Sequence, residues 1–219
     1  MKDKAVKSKE KILNLLKTEG PREAPALAER LGVTAMAVRQ HLYELEKDGI
    51  VEALCCPRPK GRPGKEWHLT EKSNELFPDS HAEFAVGLIH SVRDAFGEDG
   101  MDKLLDLRAA EQVASYRAEI GEQRDLKKRL DKLAELRTRE GYMADVLPGD
   151  EPDQFLLVEN NCPVCEAARE CSGICARELQ VFEELMGDDV AIFRTEHITR
   201  GARRCAYVVR PYDPKAGAQ

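Results

Sequence analysis

Apolar residues recur at helical spacing through the first fifty positions. Ile12, Leu13, Leu15 and Leu16 share one face until Gly20-Pro21 ends it, and Ser8 stands where it could cap the helix. Leu27, Ala28 and Leu31 mark a short second helix from about Ala24, closed by Gly32. Val38, Leu42 and Leu45 mark a third, capped by Thr34 and ended at Asp48-Gly49. Residues 50–54 then read as a strand and 66–69 as its partner, and the stretch between is too rich in Pro, Gly and cations to be core. Helix, helix, turn, helix, hairpin is the order of a winged helix-turn-helix, whose third helix lies in the major groove.

Beyond Glu71 the pattern is long, polar and helical to about Gly141, interrupted at Pro78 and around Gly97 to Gly100. Leu126, Leu130, Leu133 and Leu136 form a seam suited to pairing two helices, and an intersubunit role is favoured over packing within one chain. After Gly141 the period changes. Residues 142–147 and 154–159 predict two strands around strong turn chemistry, residues 163–187 a helix with Leu179, Phe182, Leu185 and Met186 as its stripe, and residues 190–198 and 204–209 a second hairpin. The predicted fold is mainly α: a winged helix-turn-helix domain over 1–72, a helical linker and dimerisation region over 73–141, a small α+β domain over 142–212, and a tail over 213–219.

Composition sharpens this division. The net charge of the 219 residues is −6, yet residues 1–72 hold 15 Lys/Arg against 11 Asp/Glu while the remainder holds 19 against 29. A basic head on an acidic body confines the phosphate-seeking field to the helix-turn-helix. No stretch approaches the ~20 apolar residues of a membrane span, and the N-terminus lacks a secretory pattern, so a cytoplasmic location is expected. Because Val38, Leu42 and Leu45 face inward, base edges fall to Thr34, Met36, Ala37, Arg39, Gln40 and Tyr43. Gln40 can pair bidentately with adenine, and Arg39 with guanine or a phosphate. The wing offers Arg58, Lys60, Arg62 and Lys65 to the backbone of a double-stranded operator, read by a homodimer. There is no Ser/His/Asp order and no phosphate-binding glycine loop, so no enzyme activity is expected.

The candidate chemistry is thiol chemistry. Four cysteines stand at Cys162-x2-Cys165-x5-Cys171-x3-Cys175 and a fifth at Cys205, while Cys55-Cys56 in the wing strand read as packing residues. A reducing cytoplasm favours ligands or switches over disulfides. The local four could hold zinc, Cys162 and Cys165 could form a dithiol switch, and an iron-sulfur cluster could take thiolates with a non-cysteine fourth ligand. Spacing alone leaves all three open.

Several stretches together resemble the Suf-operon repressor (SufR-like) family of iron-sulfur-sensing winged-helix regulators. They are Leu27-Ala28-Glu29-Arg30-Leu31-Gly32-Val33-Thr34, Gly61-Arg62-Pro63-Gly64, Glu159-Asn160-Asn161-Cys162-Pro163-Val164-Cys165, Arg194-Thr195-Glu196-His197 and Gly201-Ala202-Arg203-Arg204-Cys205. The resemblance implies a repressor with a cluster, expected to be 4Fe-4S, held by Cys162, Cys175 and Cys205. Candidates for the fourth position are Cys165, Cys171 and His197, or no protein ligand, and zinc is the alternative metal. It also gives Arg203 and Arg204 the task of offsetting the charge of a thiolate-bound cluster.

Overall fold

A computed structural model describes residues 2–57 and 63–212. Arg58, Lys60 and Arg62 of the wing, and the tail over 213–219, lie outside the described residues. The chain divides into two compact units, Met1–Asp79 and Ser80–Gln219.

The first unit runs α1 (Lys2–Glu19), β1 (Arg22–Glu23), α2 (Ala24–Leu31), α3 (Ala35–Lys47), β2 (Val51–Cys56), β3 (Gly64–Leu69) and a 3-10 turn (Glu71–Leu76). Ser8 lies inside α1 and does not cap it, because the Lys-rich start of the chain has good helix formers that extend the helix to Lys2. The turn after α2 needs a left-handed residue, supplied by Gly32 at φ +66. Thr34 then caps α3, its hydroxyl accepting the Ala37 amide at 3.3 Å. The strands pair antiparallel in the order β1-β3-β2. Their inner face and the three helices bury Ile12, Leu16, Leu27, Val38, Leu42, Leu45, Val51 and Trp67. Both hairpin strands run further toward the wing than the pattern predicts, with Cys56 paired to Gly64.

The second unit is built from α4 (His81–Ile120), α5 (Leu126–Arg139), β4 (Ala144–Pro148), β5 (Phe155–Glu159), α6 (Cys165–Glu170), α7 (Ser172–Met186), β6 (Val190–Glu196), a 3-10 turn (Ile198–Arg200) and β7 (Cys205–Pro211). α4 bends at Gly97, whose φ of +71 leaves the helical region. Two antiparallel hairpins join through β5 and β7 into a sheet of order β4-β5-β7-β6.

Three expectations are revised here. Leu130, Leu133 and Leu136 do not form a seam between copies, because they are buried with Leu157, Phe182, Met186, Tyr207 and Val209 in this unit's own core. Of the region expected as a linker over 73–141, residues 80–141 fall in the second compact unit, with α5 leucines in its core. A four-stranded sheet of five- to seven-residue strands buries too little by itself, and α5 and α7 close its core. The helix expected over 163–187 is broken at Cys171, whose φ of −130 and ψ of 93 are extended, giving α6 and α7.

Candidate functional site

The capped N-terminal half of α3 presents Thr34, Met36, Arg39 and Gln40 to solvent, with Ala37 half-buried between them. Met36 is 74% exposed, an apolar side chain with no packing role in the fold. Tyr43 is engaged differently from its neighbours. Its ring meets Trp67 edge-on at 5.6 Å, and the Lys65 ammonium sits 4.8 Å from the Tyr43 ring and 4.4 Å from that of Trp67. Lys65 also pairs with Glu46 at 3.6 Å. Tyr43 and Lys65 therefore brace the wing root against α3, which fixes the angle between hairpin and recognition helix. Gln40 has no such duty. Replacing it with Ala is expected to remove about 1–3 kcal/mol of discrimination at one base pair and to leave nonspecific affinity in place. Selection from a randomised operator reads this, and an unchanged preference would assign Gln40 to the backbone or to solvent.

The thiols come from separate elements. Cys162 and Cys165 follow β5, Cys175 lies in the first half of α7, and Cys205 opens β7 directly opposite Glu159. None of the cysteines is in a disulfide, and Cys171, Cys175 and Cys205 are buried. Burial pushes the Cys162 thiol up to about 12, with the neighbouring Cys165 and Cys175 sulfurs adding to it. Burial likewise takes Cys175 to about 11, with Glu178, Cys205 and Cys165 adding and Arg194 opposing. Cys205 is raised by burial against the Ile198 amide, which donates to its sulfur at 3.5 Å. Cys162 thus feels Cys165 and Cys175, and Cys175 feels Cys205, while β7 sets Cys205 opposite Glu159, three residues before Cys162.

Cys171 packs elsewhere, in a separate apolar cluster with Met101 and Leu105. The four consecutive cysteines thus do not assemble as the local quartet that spacing allowed. Among the described residues no three His, Cys, Asp or Glu side chains stand close enough to hold a single metal ion. Tetrahedral zinc would need its sulfurs about 3.8 Å apart, given Zn–S bonds of about 2.3 Å. His197 faces the cleft beside Cys175, but its Nε2 lies 3.1 Å from the Thr199 hydroxyl, and burial with Arg194 and Arg200 keeps its pKa below the usual value.

A buried charge network adjoins the thiols. Arg194 donates to the Cys175 carbonyl at 2.7 Å, to Glu178 at 3.2 Å and to the Tyr207 hydroxyl at 3.2 Å. Glu178 is bonded in turn to Arg137, which holds Glu159 at 2.6 Å. Burial and the Glu178 charge raise the Glu159 carboxyl to about 7 in spite of Arg137. Arg204 and Arg203, expected to face the thiols, pair instead with Glu196 at 3.0 Å and with Asn160 at 3.4 Å. Arg194 is the cation that stands against the cysteines.

Residues 7–52 match the family model of winged helix-turn-helix DNA-binding domains. No curated protein matches the chain. Similar solved structures include the transcriptional regulator PA4135, 25% identical over 46% of this chain and 71% of that one, with a TM-score of 0.29. Another is NMB1585, a MarR family regulator from Neisseria meningitidis, 22% identical over 49% of this chain and 75% of that one, with a TM-score of 0.28. With the capped recognition helix and the wing, the matched segment makes the first unit a winged helix-turn-helix DNA-binding module. Among the described residues no helix is long and apolar enough to cross a membrane.

Proposed function

We propose that this chain is a cytoplasmic transcription regulator, acting as a homodimer on a double-stranded operator and governed by an iron-sulfur cluster in its second unit. The carrying observation is that β7 starts with Cys205 opposite Glu159, three residues before Cys162, and that Arg194 of the neighbouring β6 donates to the carbonyl of Cys175. The resemblance to Suf-operon repressors supports a repressor and a 4Fe-4S cluster. Cys162, Cys175 and Cys205 would hold it, with Cys165 as the fourth ligand, since it opens α6 three residues after Cys162 whereas Cys171 packs in the apolar cluster.

When bound, the cluster would supply an oxygen-sensitive centre that links these elements. The chain's own residues determine what such a link does. A cluster on Cys205 and Cys175 would tie β7 to α7, and α7 and α6 pack against α4, whose first residue, His81, comes two residues after the DNA-binding unit ends at Asp79. Occupancy would therefore bias the helix that leads out of that unit, a population shift between two arrangements. The dimer implied by paired half-sites does not use the α5 leucines, which are buried.

Anaerobic reconstitution followed by iron and sulfide assay tests the assignment. Brown protein absorbing near 400 nm is expected from the wild type and from Cys171→Ser. Loss of cluster is expected from Ser at Cys162, Cys165, Cys175 or Cys205. Zinc retained without iron in the wild type would sink the cluster, and full loading of Cys165→Ser would remove that residue from the ligand set.

A further inference from the structure

A cavity of about 600 Å³ lies within the second unit, between α4 and the cysteine-bearing segment that leads into α6 and α7. Its volume falls in the range of small-molecule sites. Leu88, Ile89 and Leu105 of α4 form one wall, and Val164, Ala167 and Ile174 the other. Leu88 remains 50% exposed, so a large apolar side chain faces this space without cover from the fold.

The cations around the cavity differ in one respect. Arg137 is held by Glu159 and Glu178, and Arg177 by Asp102 at 3.0 Å and Asp106 at 2.9 Å. The lining carboxylates Glu140 and Glu178 are themselves bonded to Arg137. Arg108 stands exposed at the rim of the same cavity and has no carboxylate partner among the described residues. Gln112, one helical turn on, uses one amide hydrogen on the Tyr116 hydroxyl at 3.0 Å and keeps the other. An apolar cavity with an unpaired guanidinium at its solvent-facing rim and a free amide donor one turn on suits an anion on an apolar body.

We propose that this cavity binds a small apolar carboxylate, with its carboxylate on Arg108 and its body between Leu88 and Ile174. Such a ligand bridges the half of α4 before the Gly97 bend to the segment that carries Cys162 and Cys165, and so acts on the same helix as the cysteine site. The inference does not rest on the cluster.

Calorimetric titration of the full chain with 2-naphthoate tests it, with 2-naphthalenemethanol as the uncharged counterpart. One saturable site per chain is expected, with the alcohol about tenfold weaker. Arg108→Ala should bring 2-naphthoate down to the alcohol's affinity and leave the alcohol unchanged. Ala167→Trp, or Ala85→Trp from the opposite wall if the former misfolds, should abolish both by filling the space. Absence of saturation, equal affinity for acid and alcohol, or indifference to Arg108→Ala would overturn the proposal. Dissociation of a dimer by saturating 2-naphthoate would mark the cavity as an interface between copies and overturn it too. A colourless, cluster-free protein that binds 2-naphthoate as described would defeat the cluster reading and leave this one standing.

Discussion

Arg137→Ala is expected to destabilise the second unit by about 3–5 kcal/mol, because it strands buried carboxylates without their cation. The side chain is 1% exposed and meets Glu159, Glu178 and Glu140, while its guanidinium stacks 3.4 Å from the Tyr142 ring centroid. Removing it leaves Glu159, also 1% exposed, with no counter-charge on the α5 side. Glu178 would keep Arg194 at 3.2 Å and the Tyr207 hydroxyl at 2.8 Å, so the damage should centre on the β5 end next to Cys162. Urea denaturation of reduced, metal-free protein measures the loss, and a change below about 1 kcal/mol would show the network to be solvated. A compensated variant, Arg137→Met with Glu159→Leu and Glu178→Gln, should recover most of the stability, since apolar replacement of a whole buried ion set is close to neutral. The proposed cluster should not load into this variant, because Glu178 then no longer holds Arg194 against Cys175.

This network also marks where sequence reading stopped. Helical and alternating periods give α2, α3, the wing strands and both C-terminal hairpins to within a few residues, because each buries one face and shows it in the pattern. The leucines of α5 are a different case. Leu130, Leu133 and Leu136 have the same spacing whether they meet a second copy or the sheet of their own chain, and only tertiary structure tells the two apart. Period cannot rank cysteines either. Cys165 and Cys171 both look like ligands in a dense run, and what separates them is the break between α6 and α7 that turns Cys171 toward Met101 and Leu105. Arg194 carries no sequence signal, because a buried charge on an amphipathic element reads like one on its solvated face. A signal did exist for Glu178, at i+3 from Cys175 on the same side of α7.

Trp67→Ala should abolish operator binding by loosening the first unit while leaving the second intact. Trp67 is 1% exposed and sits on the central strand β3, paired with Arg22 on one side and Ala53 on the other. Truncating a buried Trp costs about 3–5 kcal/mol. At roughly 0.05–0.15 kcal/mol per residue, a unit the size of Met1–Asp79 has about 4–12 kcal/mol in total, so the substitution removes a large share of its stability. It also deletes the ring against which Tyr43 and Lys65 brace the wing, so recognition suffers even in molecules that stay folded. The buried clusters of the second unit contain no residue from the first, so its unfolding and its cysteine site should be unaffected. Trp67 is the sole tryptophan in the chain, which makes wild-type fluorescence a reporter of the first unit alone. Against it, circular dichroism should show the variant losing only part of its helical signal at low denaturant, and Trp67→Phe should retain most of the affinity. An alanine variant that still binds its operator with wild-type affinity would show that the wing does not depend on this core contact.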